Sequence, residues 1–541
     1  MNVAQLLVRC LENEGVRHVF GIPGEETLAL NEALEDSGQI QFVITRHEQG
    51  AAFMADVYGR LSSYPGVCLA TLGPGATNLL TGVADAQLDR APLVAITGQA
   101  GLERVFKESH QYIDVVRLFA AVTKWSVRIE VAESTPEVVR KAFRLARLEK
   151  PGATHIELPE DVASAEVDGA PIKVRRTTYP QADPDAVATA ARIIAGAARP
   201  ILLIGNGVVR RQAAGHGAVD ALREFVACLG APVTHTFMAK GAVPDQDPRA
   251  LAAVGLQRPG ADLANVPELA KADVVVCIGY DLVEWAPVLW NPQRRKTIVH
   301  VDSTPAEIDS HYLPVVEVVG EIGESLRMLA ALCPTLPASA PRSAVRAQLA
   351  GAAAFPMKPQ RVIAELREAL GDEDVVISDV GAHKVWLSRL YPTRSPNTVI
   401  VANGFASMGI ALPGAIAAKL VRPDRKVVAF CGDGGFLMNV QELETAKRLG
   451  TAIVAVVLVD GRFGVIEMNQ QRRFGRAFGV EFGNPDFVAL ARSFGIAGYA
   501  VESAADLLPM LRRALDGDGP ALIAVPIDAR ENAKLGGALE A

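Results

Sequence analysis

The sequence predicts an α/β protein made of three doubly wound parallel-sheet domains. Three observations carry that expectation. Short apolar runs alternate with helix-periodic stretches in the first and last thirds of the 541-residue chain, the pattern of repeated βαβ units. Runs such as 427–431 and 452–459 are apolar throughout, as parallel strands covered on both faces must be. Glycine-bearing turns follow several of these runs directly, at the strand ends where open α/β sheets hold their ligands.

In order along the chain, 17–24 reads as a strand and turn, 42–45 as a strand, and 46–50 as the opening of a helix that reaches Gly59. Residues 67–71 form a strand that delivers Gly73-Pro74-Gly75-Ala76-Thr77-Asn78, and 93–97 form another. An amphipathic helix over 134–148 and a strand within 151–159 close a first domain, 1–165. Pro171, Pro180 and Pro184 among polar residues mark 163–185 as a linker. A central domain, 186–335, carries strands at 200–204, 274–278 and 297–301. Its Gly205-Asn206-Gly207 lacks the third glycine of a dinucleotide turn, because Arg210 stands there. A nicotinamide-linked oxidoreductase therefore has little support. Residues 335–358, rich in Ala, Pro and Ser, read as a second linker before a third domain, 356–541.

The chain is organised around 426–474. A strand ends at Gly432-Asp433-Gly434-Gly435, where the missing Cβ atoms let a ligand approach the backbone. A helix is expected next, with Leu437, Val440, Leu443 and Ala446 on one face and Gly450 at its end. The strand 452–459 then delivers Asp460 and the turn Gly461-Arg462-Phe463-Gly464. Asp433 and Asp460 thus stand at the carboxyl ends of two parallel strands. With a turn carbonyl, waters and phosphate oxygens, they read as an octahedral magnesium-diphosphate anchor. A lone GDGG is by itself only a turn.

Composition narrows the class. The net charge of −7 argues against nucleic acid as a partner. There is no apolar run of membrane-spanning length and no leader-like start, and six singly scattered cysteines suit a reducing cytoplasm.

GDG, a helix, an apolar strand and then Asn or Asp resembles the signature of thiamine-diphosphate-dependent enzymes. Over essentially its whole length the chain looks like the acetolactate synthase family, particularly its catabolic, flavin-independent branch. That branch also shows Val-Asp where this chain has Val459-Asp460. Other relatives have two asparagines there, many carry Gln at the position of Ala382, and close catabolic enzymes have Gln-Gln at Phe405 and Ala406.

The resemblance implies thiamine diphosphate and Mg2+ as cofactors, with the metal on Asp433, Asp460 and Arg462. Glu48 would hydrogen-bond the aminopyrimidine and drive its imino tautomer; the ordinary alternative is an exposed helix-start glutamate. Gly381, Ala382 and His383 match positions that approach the diphosphate, with Gly432, Asp433, Gly434, Gly435, Asp460, Phe463 and Gly464; His383 as a capping or surface residue competes. Ala406 and Met408 match the turn at the cofactor's middle. Gln111 would face the reactive end, or merely water. Where flavin-binding relatives read Arg-Phe-Asp-Asp, this chain has Tyr280-Asp281-Leu282-Val283, so FAD is not expected. Biosynthetic relatives carry Trp at the position of Asn469, so pyruvate is expected as both donor and acceptor, giving 2-acetolactate and carbon dioxide. The resemblance also implies a cytoplasmic homodimer or homotetramer with the site between subunits. Another carboligase or decarboxylase of the superfamily, and a flavin-dependent biosynthetic synthase, are the alternatives.

Overall fold

The computed structural model describes residues 1–62, 64–175, 177–213, 217–336 and 353–537. It contains three sheets, and every pairing within them is parallel. The first is built from β1 His18–Gly21, β2 Gln41–Ile44, β3 Gly66–Ala70, β4 Leu93–Gln99, β5 Trp125–Arg128 and β6 Ala153–Pro159. Its order is β2-β1-β3-β4-β6-β5.

The second holds β7 Pro200–Ile204, β8 Val233–His235, β9 Val274–Ile278, β10 Thr297–Asp302 and β11 Val316–Val319 in the order β11-β10-β9-β7-β8. Its two faces are covered separately. Leu202 and Ile204 belong to one apolar cluster, Ile201 and Leu203 to the other, which is why the strand is apolar at every position. The third consists of β12 Val375–Ser378, β13 Val399–Val401, β14 Val427–Gly432, β15 Ile453–Val459, β16 Ala497–Ala500 and β17 Ala521–Pro526, ordered β13-β12-β14-β15-β17-β16.

Three parallel-sheet α/β domains are therefore present, as the alternation of runs implied. One local expectation is corrected. The segment after the GDGG turn is not one helix: Asp433–Phe436 forms a single short turn and the regular helix runs Glu442–Leu449, ending on the left-handed Gly450. Leu443 and Ala446 are buried, whereas Leu437 and Val440 are only half-buried, so the apolar spacing spans two pieces. Most of the linker expected over 335–358, and position 176 of the first, lie outside the described residues.

The chain forms two compact units. One comprises Met1–Thr177 with Gly404–Asp424 and Met438–Thr451; the other comprises Thr178–Asn403, Arg425–Leu437 and Ala452–Ala541. Among the described residues no helix is long and apolar enough to cross a membrane.

Candidate active site

In the second unit, β14 and β15 pair in register from Val427 opposite Ile453 to Gly432 opposite Leu458. Asp433 and Asp460 therefore leave adjacent strands at the same edge. Asp433 is buried, and four donors converge on its carboxylate. Oδ2 accepts from the backbone N–H groups of Asp460 (3.0 Å) and Gly461 (2.7 Å) and from Asn484 Nδ2 (2.8 Å), and Oδ1 accepts from Gly434 N–H (2.8 Å). Burial, and then the neighbouring charge of Asp433, push the Asp460 carboxyl up to about 7. The Oδ1 of Asn484 is buried with no partner. Two adjacent carboxyl groups and an orphaned amide oxygen suit a hard divalent cation, which takes oxygen donors. The Arg462 carbonyl accepts from Gly464 N–H, while its guanidinium pairs with Glu467 at 2.7 Å.

Around this pair the backbone is cleared by glycine. A Cβ on Gly434 would lie 2.8 Å from the Phe463 ring, and one on Gly381 would lie 2.7 Å from the His383 ring. His383 is buried, and burial pushes its imidazole down to about 3, so it is neutral at ordinary pH. Its Nε2 has no partner, which leaves a buried donor or acceptor for a phosphate oxygen. Gly464 joins the group: its Cβ would stand 3.8 Å from Asp460 Oδ2 and 3.9 Å from Ala382. Asn469 lies half-buried on the helix Gly464–Phe474.

The first unit holds the other residues. Glu48 is the first residue of the helix Glu48–Ser62, half-buried, and its Oε2 accepts from Asn78 Nδ2 at 2.9 Å. Gly73, at φ +49°, caps the helix Pro74–Leu88 that carries Gly75 and Asn78. A Cβ on Gly75 would be 3.5 Å from Glu48 Oε1, and one on Gly73 would be 2.6 Å from the Gln111 carbonyl. The Glu48 carboxylate and the Gln111 backbone thus each border the start of this helix. Gln111 is exposed, as is His110.

The start of Glu48's helix is held by a residue the sequence did not single out. The fully buried Glu442 accepts through Oε1 from Arg46 N–H (3.0 Å) and His47 N–H (3.2 Å). Burial raises its carboxyl to about 7. Ala406 (φ +58°) and the half-buried Met408 also belong to this unit, on a turn tied down by Asp85 and Asp89. No spacing signal points to Glu442, Asn484, Asp85 or Asp89.

In the central sheet, the turn after β7 is filled by the chain itself. Glu284 accepts from Asn206 N–H through both oxygens (3.0 and 3.1 Å) and from Asp281 N–H (3.1 Å). Arg210 pairs with Asp281 at 2.6 Å. Burial and the charge of Asp281 raise Glu284 to about 8.

Comparison with known proteins agrees with this geometry. Residues 1–118 match the thiamine pyrophosphate enzyme N-terminal TPP binding domain, 187–329 its central domain, and 379–525 its C-terminal TPP binding domain. An acetolactate synthase of Bacillus subtilis (strain 168) is 37% identical, covering 98% of this chain and 94% of that protein. A catabolic acetolactate synthase of Raoultella terrigena is 37% identical over 99% of this chain and 97% of its own length. The acetolactate synthase isozyme 2 large subunit of Escherichia coli (strain K12) is 34% identical over 98% and 96%.

Proposed function

The chain belongs to the acetolactate synthase family of thiamine pyrophosphate enzymes, and from that premise we propose that it condenses two molecules of pyruvate into 2-acetolactate and carbon dioxide. The observation that carries the reading is the pair Asp433 and Asp460 at the ends of β14 and β15, with the orphaned Asn484 oxygen beside them.

Asp433, Asp460 and the Arg462 carbonyl would hold Mg2+. Gly381, Ala382, His383, Gly432, Gly434, Gly435, Phe463 and Gly464 would line the diphosphate, and Ala406 and Met408 the cofactor's middle. Thiamine diphosphate supplies, when bound, a carbon nucleophile and the electron sink for decarboxylation. Glu48 holds and moves the proton at the aminopyrimidine; Asn78 fixes its carboxylate for that task, and Glu442 fixes its helix. Gln111 orients the substrate oxygen. Asn469 leaves the acceptor pocket without an aromatic wall, which favours pyruvate over 2-oxobutyrate.

FAD has no part in this reading. The N–H of Asn206, at the start of the helix Asn206–Ala213, is where a phosphate would dock, and Glu284 already occupies it. The purified protein is expected to be colourless. We further propose domains at 1–165, 186–335 and 356–541, a cytoplasmic homodimer or homotetramer with each site completed between subunits, and no nucleic-acid partner. Carbon dioxide release from pyruvate with added thiamine diphosphate and Mg2+, followed by product analysis, tests the whole. Acetolactate is the expected product; release of acetaldehyde alone would replace the synthase by a decarboxylase.

A further inference from the structure

The helices Glu48–Ser62 and Pro74–Leu88, with the cap residue of the second, bury three carboxyl groups against one guanidinium. Asp56, Asp85 and Asp89 are each 0% exposed. Arg60 Nε donates to Asp56 at 2.6 Å, its Nη2 donates to Asp89 at 2.7 Å, and the same Nη2 stands 3.5 Å from Asp85. Burial and mutual repulsion both disfavour full ionisation of three carboxyl groups packed this closely. Burial, with the charges of Asp89 and Asp56, raises Asp85 well above the ordinary carboxylate range.

The outward oxygens of this cluster grip a turn. Asp89 Oδ1 accepts from Gly404 N–H (2.5 Å) and Asp85 Oδ1 from Ser407 N–H (3.0 Å). The two bonds bracket Phe405 and Ala406, and Ala406 sits at φ +58°. For a residue with a Cβ that conformation is strained and persists only where its surroundings impose it. On the far side, Asn439 Nδ2 donates to the Gly409 carbonyl at 2.9 Å. Met408 lies between these ties.

We propose that Asp85 and Asp89, backed by Arg60 and Asp56, are positioning residues that hold the Gly404–Met408 turn in its cofactor-receiving shape. Asp89 is bonded to Arg60 Nη2 on one side and to the turn on the other, and Asp85 reaches the turn through Oδ1. The proposal rests on the reading that this turn receives thiamine diphosphate. Because a carboxylic acid and a carboxamide offer the same acceptor oxygen, Asn should substitute for Asp85 and Ala should not.

The test measures thiamine diphosphate affinity of the apoprotein by titration calorimetry with Mg2+ present, alongside thermal unfolding and amide exchange over 404–408. Asp85→Asn is expected within about twofold of wild type. Asp85→Ala and Asp89→Ala should bind at least tenfold more weakly, with faster exchange in the turn. If an alanine variant does not fold, the corresponding Ser variant, whose hydroxyl is too short to reach the turn, replaces it. Wild-type affinity in the folded alanine or serine variants would overturn the proposal, as would an Asp85→Asn defect as deep as that of Asp85→Ala. A wild-type protein that binds no thiamine diphosphate would instead sink the family reading of the turn. The two failures are thus distinguishable.

Discussion

The first and third sheets share one strand order and end in different chemistry. Each runs second, first, third, fourth, sixth, fifth. Near the ends of β2 and β3 stands one half-buried carboxylate, Glu48, touched by a single amide. At the ends of β14 and β15 stand two, one of them gripped by four donors. A carboxylate beside one amide keeps a proton-handling role open, whereas paired carboxylates suit a cation. The strand order fixes where a ligand can sit; the side chains at the ends decide what sits there. The second sheet is a limiting case, since Glu284 fills the corresponding turn from within.

That contrast can be broken most forcefully at the third sheet. Asp433→Ala should abolish retention of thiamine diphosphate and cut turnover by more than about a hundredfold, the upper end of what supporting residues around a metal contribute. Reversible loss of activity on chelation should accompany it in the wild type, and full activity after dialysis against a chelator would remove the metal assignment. Glu48→Gln should do the opposite. Cofactor stays bound, while exchange of the thiazolium proton and turnover fall by roughly a hundredfold or more; exchange at the wild-type rate would erase the distinction between the two sheets.

Smaller effects sharpen it. Asn469→Trp should raise preference for 2-oxobutyrate over pyruvate by about tenfold, because a fitted apolar wall rewards one methylene; competition with equal substrates measures this, and an unchanged product ratio would move the wall elsewhere. The smallest effect concerns Glu442. Its carboxyl titrates at about 7 in the folded chain against about 4.3 unfolded, so the folded state holds the extra proton. The linked stabilisation is complete below about pH 4 and is lost as pH rises through 7. The wild-type melting temperature should therefore fall between about pH 5 and pH 8 by about 2 °C more than that of Glu442→Gln. Parallel curves would refute the link.

Much of the fold was legible because a strand covered on both faces must be apolar throughout. β7 and β9 were read to the residue for that reason. β5 and β16, at a sheet edge and half-buried or exposed along their length, gave no such signal. The placement of Asp433 and Asp460 at the ends of neighbouring strands was legible because a strand and a glycine turn announce each of them. Glu442 and Asn484 were not, since each acts on a backbone or side chain far away in sequence, and Glu284 satisfies Asn206 across 78 positions. Burial of a polar group is decided by what packs over it, and local pattern carries no record of that.

The composition of the first unit has a consequence in time. Arg46 and Glu442 are separated by 396 positions, yet one bond joins them. At about 5–20 residues per second, a ribosome makes the second partner roughly 20–80 s after the first. Throughout that interval the N–H groups ahead of Glu48 lack their buried acceptor, and Asp85 and Asp89 lack the turn they grip. The nascent N-terminal third is an unfinished object that waits for two later segments, 404–424 and 438–451, to complete it. A chain cut short after its central domain would stay permanently in that state, with its carboxylate cluster open to water and its helix start exposed to proteases and chaperones.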